Sequence, residues 1–227
     1  MVIDMYNDLI IIIVIIALPL FAQWKIKSTY NKYAKVLSNK RLSGREVAQK
    51  ILSNNGISNV EIYRTSGSLT DHYDPKNKSV SLSESIYSGK SISSVSVAAH
   101  ECGHAIQDKI GYSFMRFRSA MVPVVNITSS LSSILIMIGF FTEFLGLVTI
   151  GIILLSVGLL FQLITLPVEF DASRRAKDEL YKLGIVDETE RTGVKKVLNA
   201  AAFTYVAGFL ASALQVARLM LMTRRRR

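Results

Sequence analysis

The feature that most constrains this chain is the gathering of its apolar residues into four blocks. Residues 3–24, 122–141 and 145–166 are nearly continuous apolar runs. Each is about as long as the ~20 residues that cross a bilayer as a helix. A fourth run, 197–222, is less pure and carries two amides and an arginine. A soluble domain rarely combines 50% hydrophobic residues with a mean hydropathy of +0.33, so the sequence predicts a multi-span membrane protein.

Charges beside the runs predict an orientation. The first run has Asp4 and Asp8 near its start and no basic residue before it, which is the wrong flank for a cleavable signal peptide. We expect an uncleaved anchor. Lysines and arginines follow the first and third runs, whereas the loop at 142–143 has none. The positive-inside rule then places residues 25–118 in the cytoplasm of a multi-pass protein of the cell membrane.

The fourth run does not fit this rule. If it crosses, the four arginines at 224–227 lie outside. We therefore expect three spans and a membrane-associated fourth helix, which is re-entrant, interfacial or packed on the soluble part, with its tail at anionic headgroups. Because the basic residues flank the apolar runs, the net charge of +10 indicates a lipid partner and no nucleic acid. The single cysteine, Cys102, excludes an intrachain disulfide and suits a reducing cytoplasm.

Residues 100–104 read His-Glu-Cys-Gly-His and carry the chemistry. Histidines four residues apart share one helix face, so His100 and His104 can both bind one Zn²⁺. Glu101 points to the side, toward a water on the metal. Zinc lowers the pKa of such a water and a carboxylate can take its proton. The motif predicts a zinc hydrolase; the alternative is a chance match on a helix without metal.

The residues around the motif predict a small α+β core. Ser43 and Glu46 form a capping box for a helix at about 44–53. Residues 60–63 and 78–83 read as strands, the second half-buried because its polar and apolar residues alternate. One of Ser91, Ser93 and Ser94 is expected to cap the motif helix, and Gly111 to end it. We expect the strand at 78–83 to be an exposed edge beside which an extended substrate can add; an ordinary solvated strand is the alternative.

A catalytic zinc needs a third protein ligand, and we expect a carboxylate from a second helix. Pro167 can begin a helix as the chain leaves the third span, which would put Glu169 in its first turn. Asp171 is the rival ligand and faces nearly the opposite way. The spacing does not decide between Glu169 and Asp171 as third ligand. Glu169 could also be only a carboxylate that interacts favourably with the positive N-terminal end of the helix dipole. Ser173, one turn beyond Glu169, is a candidate to support a ligand.

The third histidine lies in the turn Asp71-His72-Tyr73-Asp74. A peptidase needs a donor for the developing oxyanion, and His72 or Tyr73 could provide it if the turn folds over the metal. The alternative is a turn histidine bonded to a neighbouring aspartate. Cys102 is expected to be a small core residue on the motif helix.

Three segments carry a resemblance to a known family. They read LTDHYDP at 69–75, SVSVAAHECGHAIQ at 94–107 and LPVEFDASRR at 166–175. They resemble the YugP family of membrane-bound neutral zinc metallopeptidases, and the likeness extends over essentially the whole chain. More distantly, the layout is similar to HtpX and the prenyl-protein (CAAX) proteases.

The resemblance implies roles for individual residues. It makes His100 and His104 the first two zinc ligands, Glu101 the general base and Glu169 the third ligand. The wider relatives place an acidic residue four positions after the ligand glutamate, where this chain has Ser173. The support of the ligands is therefore expected to differ from theirs.

The expected fold is an α+β zincin-like catalytic domain of the gluzincin type, H-E-x-x-H plus glutamate, embedded in a multi-span α-helical membrane protein. The predicted parts are an anchor at 1–24, a cytoplasmic catalytic part at 25–118, a membrane hairpin at 119–166, a cytoplasmic segment at 167–196 and a fourth helix with basic tail at 197–227.

The predicted activity is zinc-dependent cleavage of polypeptides, membrane proteins among them. The alternative is a membrane scaffold whose zinc site is structural or vestigial. A transporter is disfavoured because spans two and three hold almost no ionisable residues; oligomeric state is left open.

Overall fold

The chain forms two compact units, each assembled from separate stretches of sequence. The computed structural model describes the backbone of residues 2–225, and the side chains of residues 1–5, 7 and 225–227 lie outside what it describes. The first unit contains Met1–Gln23, Arg116–Leu166 and Thr204–Arg227, and the second contains Trp24–Met115 and Pro167–Phe203. The chain therefore passes between the units four times.

Four long helices account for the first unit. They are α1 (Val2–Ala34), α5 (Ser113–Phe141), α6 (Leu145–Lys182) and α7 (Arg191–Arg225). Each contains one of the four apolar runs, and each is long and apolar enough to cross a membrane. All four continue beyond the first unit into the second, so the predicted boundaries at 24, 118, 166 and 196 fall inside helices rather than in loops. Those boundaries remain predictions about where a membrane ends.

Helix α7 lies antiparallel to α6 within the first unit. Val216 and Leu219 cluster with Val148 and Ile152, and the last turn of α7, around Arg224, lines the same cavity as the first turns of α6. Helix α7 is also unbroken. A re-entrant segment must turn back within the membrane, so that prediction does not fit. The predicted contact of the tail with lipid involves residues 225–227, which lie outside the described side chains.

The second unit contains a three-stranded sheet formed by β1 (Glu61–Thr65), β2 (His72–Asp74) and β3 (Ser79–Ser83), in the order β1-β3-β2. Strand β1 pairs with β3 in parallel, and β2 pairs with β3 antiparallel. The strand before the motif helix is therefore central, and its prediction as a substrate edge is wrong. The prediction of a solvated face is wrong too, because Ser79 and Ser83 are buried.

That prediction was wrong because a serine hydroxyl can find a hydrogen-bond partner inside the protein. Asp71, just before β2, accepts hydrogen bonds from the backbone N–H and the hydroxyl of Ser83. A polar residue at every second position therefore does not identify a solvent-exposed face when a half-buried carboxylate accepts its hydrogen bonds. The free edges of the sheet belong to β1 and β2.

Three helices surround the sheet: α2 (Gly44–Asn54), α3 (Glu84–Tyr87) and α4 (Ile92–Lys109). The predicted capping box of α2 is confirmed, with Ser43 and Glu46 bonded reciprocally. Ser91 caps α4, which carries the H-E-x-x-H motif, and Gly111 follows its end at φ +67°. Most of α4 is buried in the core of this unit, so the motif is held on a well-packed helix.

Pro167 does not begin a helix. It lies inside α6, which runs unbroken from Leu145 to Lys182. A proline lacks one N–H and so costs an interior hydrogen bond, but the helix is long and packed on both sides of that position. Glu169 is therefore an interior residue of α6. It is too far from the N-terminus of that helix to interact with the positive end of the helix dipole.

Candidate metal centre

Helix α4 brings the two motif histidines together. His100 and His104 lie one turn apart, with ring centroids 4.8 Å apart and the rings nearly perpendicular. His104 is buried, and the side chain of His100 is 12% exposed. The residues on the opposite face of α4 are packed into the core. The two imidazoles are therefore aimed outward from a rigid helix toward α6.

A glycine allows α6 to approach this face closely. A Cβ added at Gly103 would lie 2.5 Å from the carbonyl oxygen of Ala172 on α6, nearer than real Cβ atoms come. Only glycine therefore fits at this crossing without moving a backbone. The close approach brings Glu169, one turn before Ala172, against the two histidines. Gly103 is thus part of the geometry of the site, although it offers no side chain.

The three side chains converge on one point. Oε2 of Glu169 lies 3.3 Å from Nε2 of His100 and 3.6 Å from Nε2 of His104. The three donor atoms all lie within 4.8 Å of one another. Ligands at ~2.0–2.1 Å from a tetrahedral zinc are separated by about 3.4 Å. Two nitrogens and one carboxylate oxygen fit Zn²⁺ in chemistry, and the two oxygen–nitrogen distances are close to this spacing.

Ser173, predicted as a candidate to support a ligand, contacts His100. The Ser173 hydroxyl is 3.3 Å from Nδ1 of His100, the ring nitrogen that points away from Glu169. Ser173 is buried, one turn beyond Glu169 on α6. Ser173 stands where the wider relatives have an acidic residue. It contacts a candidate zinc ligand with a neutral hydroxyl in place of a carboxylate.

The other histidine has a partner that the sequence did not reveal. Oε1 of Gln107 lies 3.0 Å from Nδ1 of His104. The amide nitrogen of Gln107 donates to the carbonyl of Val168 at 2.8 Å and to Asp171 at 3.0 Å. Gln107 is fully buried. The available signal was its spacing, since positions 100, 104 and 107 share one face of a helix.

Asp171, the rival third ligand, is engaged elsewhere. One carboxylate oxygen accepts from Gln107 and, at 2.6 Å, from Arg175, while the other accepts from Arg174 at 2.5 Å. The structure therefore brings Glu169 to the histidines and turns Asp171 toward the arginines. The expectation that one of the two faces the site is met by Glu169.

Glu101 is a buried carboxyl beside the histidines. Burial raises its pKa to about 7, even though neighbouring His100 favours the charged form. The carboxylates of Glu169 and Asp71 raise it further, and His72 lowers it. A carboxyl that titrates near neutrality can both accept and return a proton. Burial thus gives Glu101 the property that a general base needs.

The two candidate oxyanion donors have different surroundings. His72 is exposed on edge strand β2, and its Nδ1–H donates to the carbonyl of Thr70 at 2.8 Å. Tyr73 is buried, and its hydroxyl donates to Asp108 at 2.6 Å. That hydroxyl is therefore occupied away from the histidines, which removes Tyr73 as a donor. His72 is bonded to a backbone carbonyl and not, as the alternative had it, to a neighbouring aspartate.

Cys102 is the small core residue that was predicted. It is fully buried on α4, with its thiol 3.7 Å from the carbonyl of Ala48, and burial raises the pKa of that thiol. A thiol in this state is neutral and unreactive. It lies away from the converging histidines.

These observations define a mostly helical protein with four membrane-capable helices and a three-donor site suited to zinc. The chain belongs to the family described as "Putative neutral zinc metallopeptidase", whose model matches residues 8–224. The resemblance predicted from the three sequence segments is thereby confirmed. The family description implies zinc as the metal.

One relative matches nearly end to end. The chain is 45% identical over 206 residues to the "Putative membrane protease YugP" of Bacillus subtilis (strain 168), covering 91% of this chain and 92% of that protein. No solved structure matches the chain.

Proposed function

We propose that the protein is a membrane-bound, zinc-dependent endopeptidase of the gluzincin type. The observation that carries this proposal is the convergence of His100, His104 and Glu169 beside the buried carboxyl of Glu101. The family and the relative's printed name support it. Each of the four side chains has a separate task, and the tasks follow from their positions.

The histidines and Glu169 would hold the metal, which when bound polarises a water and the peptide carbonyl. Glu101 takes the proton that the attacking water loses and passes it to the leaving amine. Its pKa of about 7 makes both transfers accessible near neutral pH. Ser173 and Gln107 hold the imidazoles in place from behind.

The number of donors favours a catalytic over a structural site. Structural zinc sites are closed by four protein ligands, whereas catalytic sites keep one position for water or substrate. Among the described residues, the cluster contains three donors. The scaffold alternative with a structural zinc is therefore the weaker of the two functions.

The free edge of β2 supports a polypeptide substrate. Strand β2 packs against α4 and carries His72, which is near enough to Glu101 to influence its pKa. An extended peptide could add to this edge through backbone hydrogen bonds, which select little for side chains. The substrate edge that was predicted for β3 is thus proposed for β2.

We place the site near the cytoplasmic face of the cell membrane. Glu169 follows the third apolar run by three residues, which is about 4.5 Å along a helix. The basic residues that follow the first and third runs favour the cytoplasmic side for the catalytic residues. Membrane proteins would then be among the accessible substrates.

The test is purification of the protein with zinc, followed by cleavage of a casein-like substrate by wild type and by Glu101→Gln. We expect one zinc per chain in both and turnover in the wild type alone. Zinc in both with turnover in neither would support the scaffold alternative. Equal turnover in both would exclude Glu101 as the base.

A further inference from the structure

We propose that Gln107 is a positioning residue that sets the metal-binding form of His104 and ties the two ligand helices together. This inference rests on the proposed zinc function and assigns a task to a residue outside the motif. It follows from the hydrogen bonds of a single buried amide.

The orientation of that amide is determined by its surroundings. The Gln107 nitrogen faces the carbonyl of Val168 at 2.8 Å and a carboxylate oxygen of Asp171 at 3.0 Å. Both are acceptors, so the NH₂ group must point toward them. The Gln107 oxygen is therefore the atom that faces His104.

That orientation selects one tautomer of His104. An amide oxygen only accepts, so Nδ1 of His104 must carry the hydrogen that bridges the 3.0 Å to it. In the neutral ring the lone pair is then on Nε2, which faces Glu169 at 3.6 Å. Gln107 thereby presents to a metal the one nitrogen that can bind it.

Ser173 cannot do the same for His100. A hydroxyl both donates and accepts, so its 3.3 Å contact with Nδ1 is compatible with either tautomer. Of the two histidines, His104 is thus the one whose binding form is imposed by its neighbour.

The same side chain also joins α4 to α6. The acceptors Val168 and Asp171 flank Glu169 in sequence, and Asp171 is in turn held by Arg174 and Arg175. The Gln107 amide therefore couples the helix carrying the histidines to the turn carrying the third donor. Loss of the amide would let the ring of His104 rotate, and it would let Glu169 shift relative to the histidines.

The test is zinc affinity, measured by chelator competition on the full chain in detergent, with the visible spectrum of the Co²⁺ form as second readout. Gln107→Met keeps the length and removes every hydrogen bond. We expect it to weaken zinc binding about 10–100-fold, the usual effect of losing such a partner, and to alter the Co²⁺ spectrum. Gln107→Asn keeps the amide but is one methylene too short to reach both helices, and should weaken binding in the same direction.

Ser96→Ala is the matched control. Ser96 is also fully buried on α4, and its hydroxyl donates within that helix, to the carbonyl of Ile92. We expect its zinc affinity to equal that of wild type. Wild-type affinity in both Gln107 variants would overturn the positioning role while leaving the zinc function standing. A wild-type protein that binds no zinc would overturn the proposed function itself, and this inference with it.

Discussion

At the residue scale, the site is built from polar groups that burial would destabilise without partners. Glu169, His104 and Gln107 are all buried, and each is hydrogen-bonded to another member of the site, Glu169 to His100 and His104 to Gln107. Glu101 is different, because its pKa is set by its burial and by the charges of neighbouring groups, and burial has the largest effect. We infer that Glu101 lowers the stability of the metal-free protein in exchange for reactivity.

The stability of Glu101→Gln tests this inference. Because the folded-state pKa is raised from 4.5 to about 7, folding is favoured while the group is protonated, and this stability is lost as pH rises from about 4.5 through 7. At pH 8 the charged form costs roughly 3 kcal/mol. We therefore expect chelator-treated Glu101→Gln to have a higher thermal midpoint than chelator-treated wild type at pH 8, with the difference shrinking toward pH 4.

Glu188→Gln is the control for that experiment, since its side chain is 77% exposed in a surface ion pair and such pairs contribute little. Its midpoint should follow that of wild type at both pH values. If Glu101→Gln does so too, the carboxyl is not desolvated as the structure indicates.

His72 gives a second prediction at this scale. If it donates to the developing oxyanion, His72→Ala should lower the catalytic rate by ~100-fold or more with zinc content unchanged. Lys76→Ala, in the turn that follows β2, should have wild-type kinetics. A rate for His72→Ala within about threefold of wild type would remove His72 from the mechanism.

At the element scale, the site depends on the crossing of α4 and α6. Gly103 sets the distance between them, because any side chain there meets the backbone of Ala172. The histidines come from one helix and Glu169 from the other, so a small separation of the helices spreads the donors.

Gly103→Ala should therefore weaken zinc binding on the order of tenfold or more, and overpacking should destabilise the protein by about 1–3 kcal/mol. Gly208→Ala on α7 is the matched control, since an added Cβ there meets nothing within 4 Å. Chelator competition and thermal unfolding measure the two effects. Unchanged zinc affinity in Gly103→Ala would mean that the crossing does not position the donors.

The elements that could be predicted from the sequence are those whose signals are local. The apolar runs, the capping box at Ser43 and the motif helix each depend on neighbouring residues, and all are present. Strand order failed because pairing partners are set by tertiary contacts, which placed β3 between β1 and β2. The prediction that Pro167 begins a helix was wrong, because a long helix that is stabilised by tertiary packing can continue through a proline.

In the site, the donors were predictable and their orientation was not. The spacing of His100 and His104 places both on one face, whereas the choice of Glu169 over Asp171 needed the family resemblance. Gln107 was missed because its partners, Val168 and Asp171, lie about 60 residues away in sequence. Such a contact has no local signal.

At the scale of the whole molecule, α7 packs antiparallel to α6, and on this ground we propose four membrane crossings in place of the three that the charges suggested. Four crossings put Arg224 on the side of the loop at Thr142, opposite Lys50. In this proposal the packing of a long apolar helix outweighs the charge rule, because that rule reflects a bias in insertion and not a packing energy.

Cysteine labelling in whole cells tests this arrangement, since the native Cys102 is buried. A membrane-impermeant maleimide should label Thr142→Cys and Arg224→Cys from outside, and Lys50→Cys after permeabilisation alone. Labelling of Arg224→Cys together with Lys50→Cys would show that α7 does not cross.

The central claim is that one zinc is bound by His100, His104 and Glu169. The most direct measurement is an anomalous difference map at the zinc edge from crystals of the zinc-loaded protein. We expect one peak, about 2.0–2.1 Å from Nε2 of both histidines and from a carboxylate oxygen of Glu169. A peak coordinated by Asp171 in place of Glu169, or no peak between the histidines, would contradict it.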